Sequence, residues 1–178
     1  MTNYNLEEKC LKKELIFKGR MISLDRDTVQ LPNGESTTRE VVRHPGAVGI
    51  IALLGEELLL VQQYRYPVGE VTLEIPAGKL DKNEEPIVCA ERELREETGY
   101  RGTLDPLGSF YTTPGFTDEV MHLFLAQALV WDPLALDDDE FLKVEKMPWH
   151  EAVTKAQKGE FPDTKTNLGI LLAQGKIQ

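Results

Sequence analysis

The sequence predicts an α/β sandwich with a mixed sheet, preceded by a small antiparallel β subdomain. Three observations carry this expectation. Short strand-like runs dominate the chain, three helical segments interrupt them, and no repeating βαβ rhythm signals a doubly wound sheet. The 178 residues suffice for one domain of ordinary size with a small appendage. Residues 1–43 are assigned to the β subdomain and 44–178 to the main domain.

From Glu14 to Arg43, alternating segments flank Pro32-Asn33-Gly34-Glu35. Asn-Gly between such segments is a hairpin signal. This stretch is polar at alternate residues and too short to bury a core alone, so it must lean on the main domain or on a second subunit. AVGIIALL from Ala47 and ELLLVQQYR, separated by Gly55-Glu56, are apolar strands. Glu70 to Ile75 gives another, and Pro76-Ala77-Gly78 is expected to stop any ladder. Glu84 to Thr98 is a helix, with Asn83 as its cap, Glu84 and Glu85 at its positive end, Pro86 in the first turn and Gly99 at the stop. Thr103–Thr113, Glu119–Val130 and Phe141–Glu145 read as strands, and Trp149–Lys158 as a helix. A last helix spans about Asp163 to Gln174, with Leu168, Leu171 and Leu172 as its buried stripe.

The charge sum is 20 − 30 = −10. It argues against gripping nucleic acid or an anionic membrane by net field, but a bound cation can override it locally for an anionic substrate. The longest apolar run, Ala47 to Leu54, falls far short of the roughly 20 residues that span a bilayer. The first residues lack the apolar core of a signal peptide. Cys10 and Cys89 form neither a disulfide framework nor a metal-ligand spacing, and Cys89, mid-helix, reads as a packing residue. The expectation is a soluble cytoplasmic protein.

The chemistry concentrates in Gly78 to Tyr100. Glu93, Glu96 and Glu97 stand at i, i+3 and i+4, within an arc of roughly 100° on one helix face. Three such carboxylates repel one another unless a hard divalent cation sits among them and takes substrate phosphates in its remaining positions. The plain alternative is a solvated acidic face. Arg92 adjoins the face and can orient a glutamate by a bidentate contact.

Gly78, Glu84, Arg92, Glu93, Leu94, Glu96, Glu97 and Gly99 match every fixed position of the Nudix box, G-x5-E-x7-R-E-U-x-E-E-x-G-U. Tyr100 departs from it in the final apolar slot, which packs rather than reacts. The chain thus resembles the Nudix hydrolases, which cleave a diphosphate joined to another moiety. They do so in an α/β/α sandwich, with Mg²⁺ or Mn²⁺ on the box helix. That resemblance implies Glu93 and Glu97 as principal metal ligands, Glu96 beside them, and the Ala77 carbonyl as a further oxygen. Glu84, nearly opposite Glu93 on an ideal helix, supports the loop and Arg92.

Later residues bear on the substrate. Pro114-Gly115, followed by Phe116 and Glu119, resembles the ADP-ribose pyrophosphatase branch; an ordinary Pro-Gly connection is the alternative. In that branch a glutamate on a loop before the late strand is the catalytic base, and Glu140 matches it best, with Asp139 as fallback and Glu96 as a base on the helix. The catalytic set is therefore Glu140, Glu96 and Arg92. Arg65 ends a strand where the family contacts the diphosphate or ribose phosphate. Arg39, Glu40 and Arg43 lie on N-terminal strands that this branch exchanges across a homodimer to complete the partner's adenine site. Gly115, Phe116 and Glu119 complete the substrate set. His44, His122 and His150 form no metal-like cluster. The resemblance implies Mg²⁺-dependent hydrolysis of ADP-ribose to AMP and ribose 5-phosphate. The alternatives are another nucleoside-diphosphate sugar such as a GDP-sugar, a non-catalytic ADP-ribose sensor, and a shorter-chain triphosphate hydrolase.

Overall fold

The computed structural model describes residues 5–136 and 140–177. It divides into two compact units, one running to Gly46 and including Tyr111–Val120, the other comprising Ala47–Phe110 and the chain from Met121 onward.

The first unit contains β1 (Lys9–Lys12), β2 (Leu15–Lys18), β3 (Ser23–Gln30) and β4 (Ser36–Arg43). Strand β4 runs antiparallel along β3 from Ser23↔Arg43 to Gln30↔Ser36, so the Asn33-Gly34 signal does mark a hairpin. Gly34 supplies the positive φ of 89° at its turn. Both β1 and β2 pair antiparallel with β3, at Lys9↔Gln30 and Lys18↔Ser23 respectively. Val42 donates its N–H to Phe116 O at 2.7 Å, and Asp118 N donates back to Val42 O. The 111–120 segment is thereby tied to β4.

The second unit is the sandwich, with β5 (Ala47–Leu54), β6 (Glu57–Arg65), β7 (Glu70–Glu74), β8 (Ala77–Lys79), α1 (Pro86–Thr98), β9 (Tyr100–Tyr111), β10 (Val120–Trp131), β11 (Leu142–Pro148), α2 (Trp149–Gln157) and α3 (Thr164–Gln174). The sheet order is β11-β6-β5-β10-β9, with β7 on β6 and β8 on β5. It is mixed, because β10 runs parallel to β5 while β6, β7, β8 and β11 pair antiparallel. Alternation along β5 explains the layers. Val48, Ile50 and Ala52 pack with Cys89, Ala90 and Leu94 of α1. Ala47, Ile51 and Leu53 face the opposite cluster, with Ala152, Ala156 and Ile170 of α2 and α3. A continuous apolar run such as AVGIIALL is what a strand covered on both faces requires.

Three expectations need correction. The ladder of β7 on β6 does end at Glu74, ahead of Pro76, but Ala77 and Gly78 do not stay out of the sheet: Ala77–Lys79 forms β8 and pairs with Ala47–Gly49 of β5. Pro lacks only its own donor, so a new strand can start at the next residue against a different partner. Asn83 does not cap α1. It sits at a positive φ of 64°, and the helix starts at Pro86 behind an extended Glu85, the conformation Pro imposes on its predecessor. The stripe on α3 is only partly as expected: Leu168 and Leu172 pack, partly buried, against the core, but Leu171 is exposed and the fully buried residues are Thr166, Gly169, Ile170 and Ala173. Gly169 sets this face, since a Cβ there would come within 2.9 Å of Ile51.

Candidate active site

The loop-and-helix unit from Ala77 to Gly99 builds the site. The left-handed Gly99 (φ 80°) ends α1 by donating its N–H to Arg95 O. A side chain there would stand 2.3 Å from the Trp131 ring. At the other end, a Cβ on Gly78 would fall 1.9 Å from the Glu93 carboxyl. The glycine therefore lets β8 lie directly against that carboxylate.

Arg92 organises the acidic face. Its Nε and Nη2 donate to the two Glu84 oxygens at 3.0 and 2.9 Å, and Nη1 donates to Glu93 Oε1 at 2.7 Å and Glu96 Oε2 at 2.9 Å. Glu84 also accepts from Asp81 N at 2.9 Å. It thus supports loop and arginine together, as the sequence suggests. Hydrogen bonding from Arg92 holds Glu84 at about 2 despite some burial, and the same bond raises the arginine. The cation is locked.

Glu93 and Glu97 are both buried. Burial raises Glu93, against the pull of Arg92, and the charges of Glu96 and Glu140 raise it further. Burial also pushes Glu97 up to about 8, against a 2.8 Å hydrogen bond from Ala77 N. Glu140, exposed and ahead of β11, lies close enough for its negative charge to act on both. The structure thus gathers Ala77, Arg92, Glu93, Glu96 and Glu97, with Glu140 in electrostatic reach. Asp139, the alternative base, lies outside the described residues.

Among the described residues, no three His, Cys, Asp or Glu side chains already converge at metal-binding geometry; Glu93 and Glu96 instead bracket Arg92. The donor chemistry still fits a hard divalent cation, being all oxygen, anionic, and largely withdrawn from water on one face. Cys89 Sγ accepts from Arg92 Nη2 at 3.4 Å. It donates weakly to Lys79 O, and burial pushes its thiol up to about 12.

Arg65, at the end of β6, forms a fork with Glu74 at 2.8 and 2.7 Å. Glu74, nearly inaccessible to solvent, also accepts from Thr72 Oγ1 at 2.5 Å and contacts Lys165 Nζ. Sequence reading missed Glu74 and Lys165. The available signal was a lysine in the first turn of a helix, where the macrodipole disfavours a cation.

The remaining candidates lie in the first unit. Arg39 forks onto Glu8 at 3.0 and 2.6 Å. Glu40 is exposed opposite Arg26. Arg43 donates to three aspartates, Asp25, Asp27 and Asp118, at 2.9, 2.9 and 3.2 Å, so it is the hub of an anionic network. Gly115 and Phe116 lie in an exposed turn, and Glu119 Oε2 accepts from Thr112 Oγ1 at 2.7 Å.

The NUDIX domain model matches residues 43–166. The chain belongs to the Nudix family. A second model, the nucleoside diphosphate sugar hydrolase N-terminal domain, matches residues 8–42. The chain is 44% identical over 176 residues to an ADP-ribose pyrophosphatase of Bacillus subtilis (strain 168), covering 97% of this chain and 95% of that one. It is 45% identical over 172 residues to a methanol dehydrogenase activator of Bacillus methanolicus, covering 94% and 93%. A crystal structure of an ADP compounds hydrolase shares the fold at a TM-score of 0.84 and 21% identity, covering 96% and 94%. Nudix hydrolases generally use divalent metal ions, and in this chain the Nudix box is Gly78–Tyr100.

Proposed function

We propose that this Nudix protein hydrolyses the diphosphate bond of ADP-ribose to AMP and ribose 5-phosphate, with Mg²⁺ as cofactor and Mn²⁺ able to replace it. The observation that carries the reading is the buried Glu93–Glu97 carboxylate pair, with Glu140 in electrostatic reach, in a chain that resembles an ADP-ribose pyrophosphatase over nearly its whole length. Glu93, Glu97, Glu96 and the Ala77 carbonyl are the groups that would hold the cation, which would supply charge neutralisation for phosphate oxygens and a more acidic water. Arg92 fixes Glu93 and Glu96. Arg65 binds a phosphate oxygen of the diphosphate. Glu140 takes the proton from the attacking water as general base.

Gly115, Phe116 and Glu119 are assigned to the substrate, as are Arg39, Glu40 and Arg43 through a second copy of the chain. Residues 1–43 would act as the exchanged subdomain of that homodimer and 44–178 as the hydrolase domain. Leu15, Ile16, Phe17 and Met21 are each about half exposed or more, and this much exposed apolar side chain in so short a stretch favours a covering partner. A monomer at micromolar concentration with full activity would rule out the shared site. Two free cysteines, Cys10 and Cys89, fit a reducing, cytoplasmic setting.

The test is a panel of ADP-ribose, a GDP-sugar and a nucleoside triphosphate, hydrolysed with Mg²⁺ in ¹⁸O-labelled water. ADP-ribose is expected to give AMP and ribose 5-phosphate with the highest kcat/KM. A preferred GDP-sugar would redirect the substrate, and binding of ADP-ribose without turnover would make the protein a sensor.

A further inference from the structure

Arg65 is held by more protein than a surface arginine needs. Glu74 grips its Nε and Nη2, and no protein partner occupies Nη1 among the described residues. The guanidinium, 40% exposed, lines a cleft of about 450 Å³ together with Pro67, Glu70, Thr72 and Lys165. It also lies within electrostatic reach of Glu97 on the box helix. A diphosphate lying against the carboxylate face can therefore meet this cation.

Lys165 approaches the same carboxylate from α3. Its ammonium is 12% exposed, in contact with Glu74 and 3.1 Å from Asp163 Oδ2. Neither helix preference nor burial recommends a lysine there: the first turn of a helix is its positive end, and burying an ammonium carries a desolvation cost. Asp163 has its own task, accepting from Thr166 N at 3.0 Å and Thr166 Oγ1 at 2.5 Å. Thr166 Oγ1 in turn accepts from Ile75 N at 3.0 Å. This chain ties α3 to the end of β7, so Lys165 and Glu74 are held in fixed relation. With one Glu74 oxygen shared by Thr72 and the other by Lys165, the carboxylate plane has little freedom. The Arg65 fork must follow that plane.

We infer that Lys165 and Glu74 are positioning residues that aim Arg65 at the diphosphate of the substrate. The inference rests on the hydrolase reading above. It predicts coupling between Lys165 and Arg65, because a misaimed arginine acts much like an absent one.

The test is a cycle of Lys165→Met, Arg65→Lys and the double variant, with kcat, KM and Tm for ADP-ribose hydrolysis at saturating Mg²⁺. Lys165→Met is expected to lower kcat/KM about 10- to 100-fold, the scale of an ångström-level misplacement, chiefly through KM. Lys165→Arg should restore it to within about threefold of wild type. In the Arg65→Lys background, Lys165→Met should change kcat/KM less than about threefold, since residues sharing one interaction are non-additive. If Lys165→Met yields too little folded protein, Glu74→Gln takes its place in the same cycle. Additive losses, or a loss that follows Tm alone without rescue by arginine, would overturn the positioning role while leaving the hydrolase reading intact. A wild-type protein with no turnover of any nucleoside-diphosphate sugar would overturn both.

Discussion

Replacing Gly78 with alanine tests the active-site geometry at a single methyl group. The added Cβ would lie 1.9 Å from the Glu93 Cδ and Oε1, against an ordinary contact of 3.4 Å or more. The carboxyl must therefore retreat by at least 3.4 − 1.9 = 1.5 Å. It is buried, and its Oε1 is held by Arg92 Nη1 at 2.7 Å, so retreat breaks that bond or displaces β8. Overpacking of this kind costs about 1–3 kcal/mol, which in a chain of this length lowers Tm by roughly 2–12 °C. A displacement of an ångström or more in a metal-binding carboxylate costs about 100-fold in rate. The expected result is a folded protein with a modestly lower Tm and kcat/KM down about two orders of magnitude, measured as AMP release at saturating Mg²⁺. Gly175→Ala, whose new methyl would meet only Leu172 O at 3.6 Å, serves as control and should change neither. In a Glu93→Gln background, Gly78→Ala should add little further loss, because the damage acts through Glu93. Gly78→Ala retaining more than about a third of wild-type activity would refute the placement of Glu93 at the reacting centre.

Glu97→Gln should abolish most turnover while the protein remains folded; near-normal kcat at saturating Mg²⁺ would place the metal elsewhere. Glu140→Gln should lower kcat about 10²- to 10⁴-fold with little effect on KM, and Asp139→Asn and Glu96→Gln measured alongside it locate the base if more than a tenth of kcat survives. Acid should destabilise the fold through Glu74. Burial alone would raise this carboxyl, yet Arg65 and then Lys165 hold it at about 2 against an ordinary 4.5, so its contribution is present above 4.5 and lost as pH falls through about 2. That contribution is on the order of 3 kcal/mol. Glu74→Gln should flatten the fall in Tm between pH 4.5 and 2, and an unchanged slope would refute the assignment.

How much of this was legible in the sequence depended on whether the signal was local. The apolar runs forming β5 and β6 are bounded by turn residues, so their extents follow from the text alone. The carboxylates of α1 were legible because helical spacing converts i, i+3 and i+4 directly into one face. The Arg92–Glu84 fork was also within reach, since both residues flank one loop and one turn. Strand β8 was not, because its pairing with Ala47–Gly49 is decided by a partner some thirty residues away, and Pro76 masks it. The buried face of α3 was legible only in part, for a related reason. Leu168 and Leu172 do pack against the core, but close approach to Ile51 and Ile75 centres the face on Gly169 and its neighbours and leaves Leu171 outside. Glu74 and Lys165 lie 91 positions apart. Only the tertiary fold brings that pair together.

The charge balance around α1 argues that its acidic face is retained for a task. Arg92 answers Glu84 on one side and divides its remaining nitrogen between Glu93 and Glu96, so one cation serves three carboxylates. Glu97 accepts from the Ala77 N–H, and the charges of Glu93 and Glu140 bear on it against a weaker pull from Arg65. The chain as a whole carries ten surplus negative charges, so the surrounding field gives no general relief. A helix needing only to pack would serve better with glutamines at 93 and 97, which keep the size and the hydrogen bonds without the desolvation cost of a buried anion. Keeping Glu93 and Glu97 ionisable while they are buried lowers stability at both positions. Such local costs are expected where charge is held ready for a ligand that brings the opposite sign. A divalent cation would supply that sign, and a diphosphate would take up its remaining coordination positions. Arg65 lies within electrostatic reach of Glu97, so a cation opposite the carboxylate face and the Arg65 guanidinium would offer positive charge from two sides to a diphosphate between them.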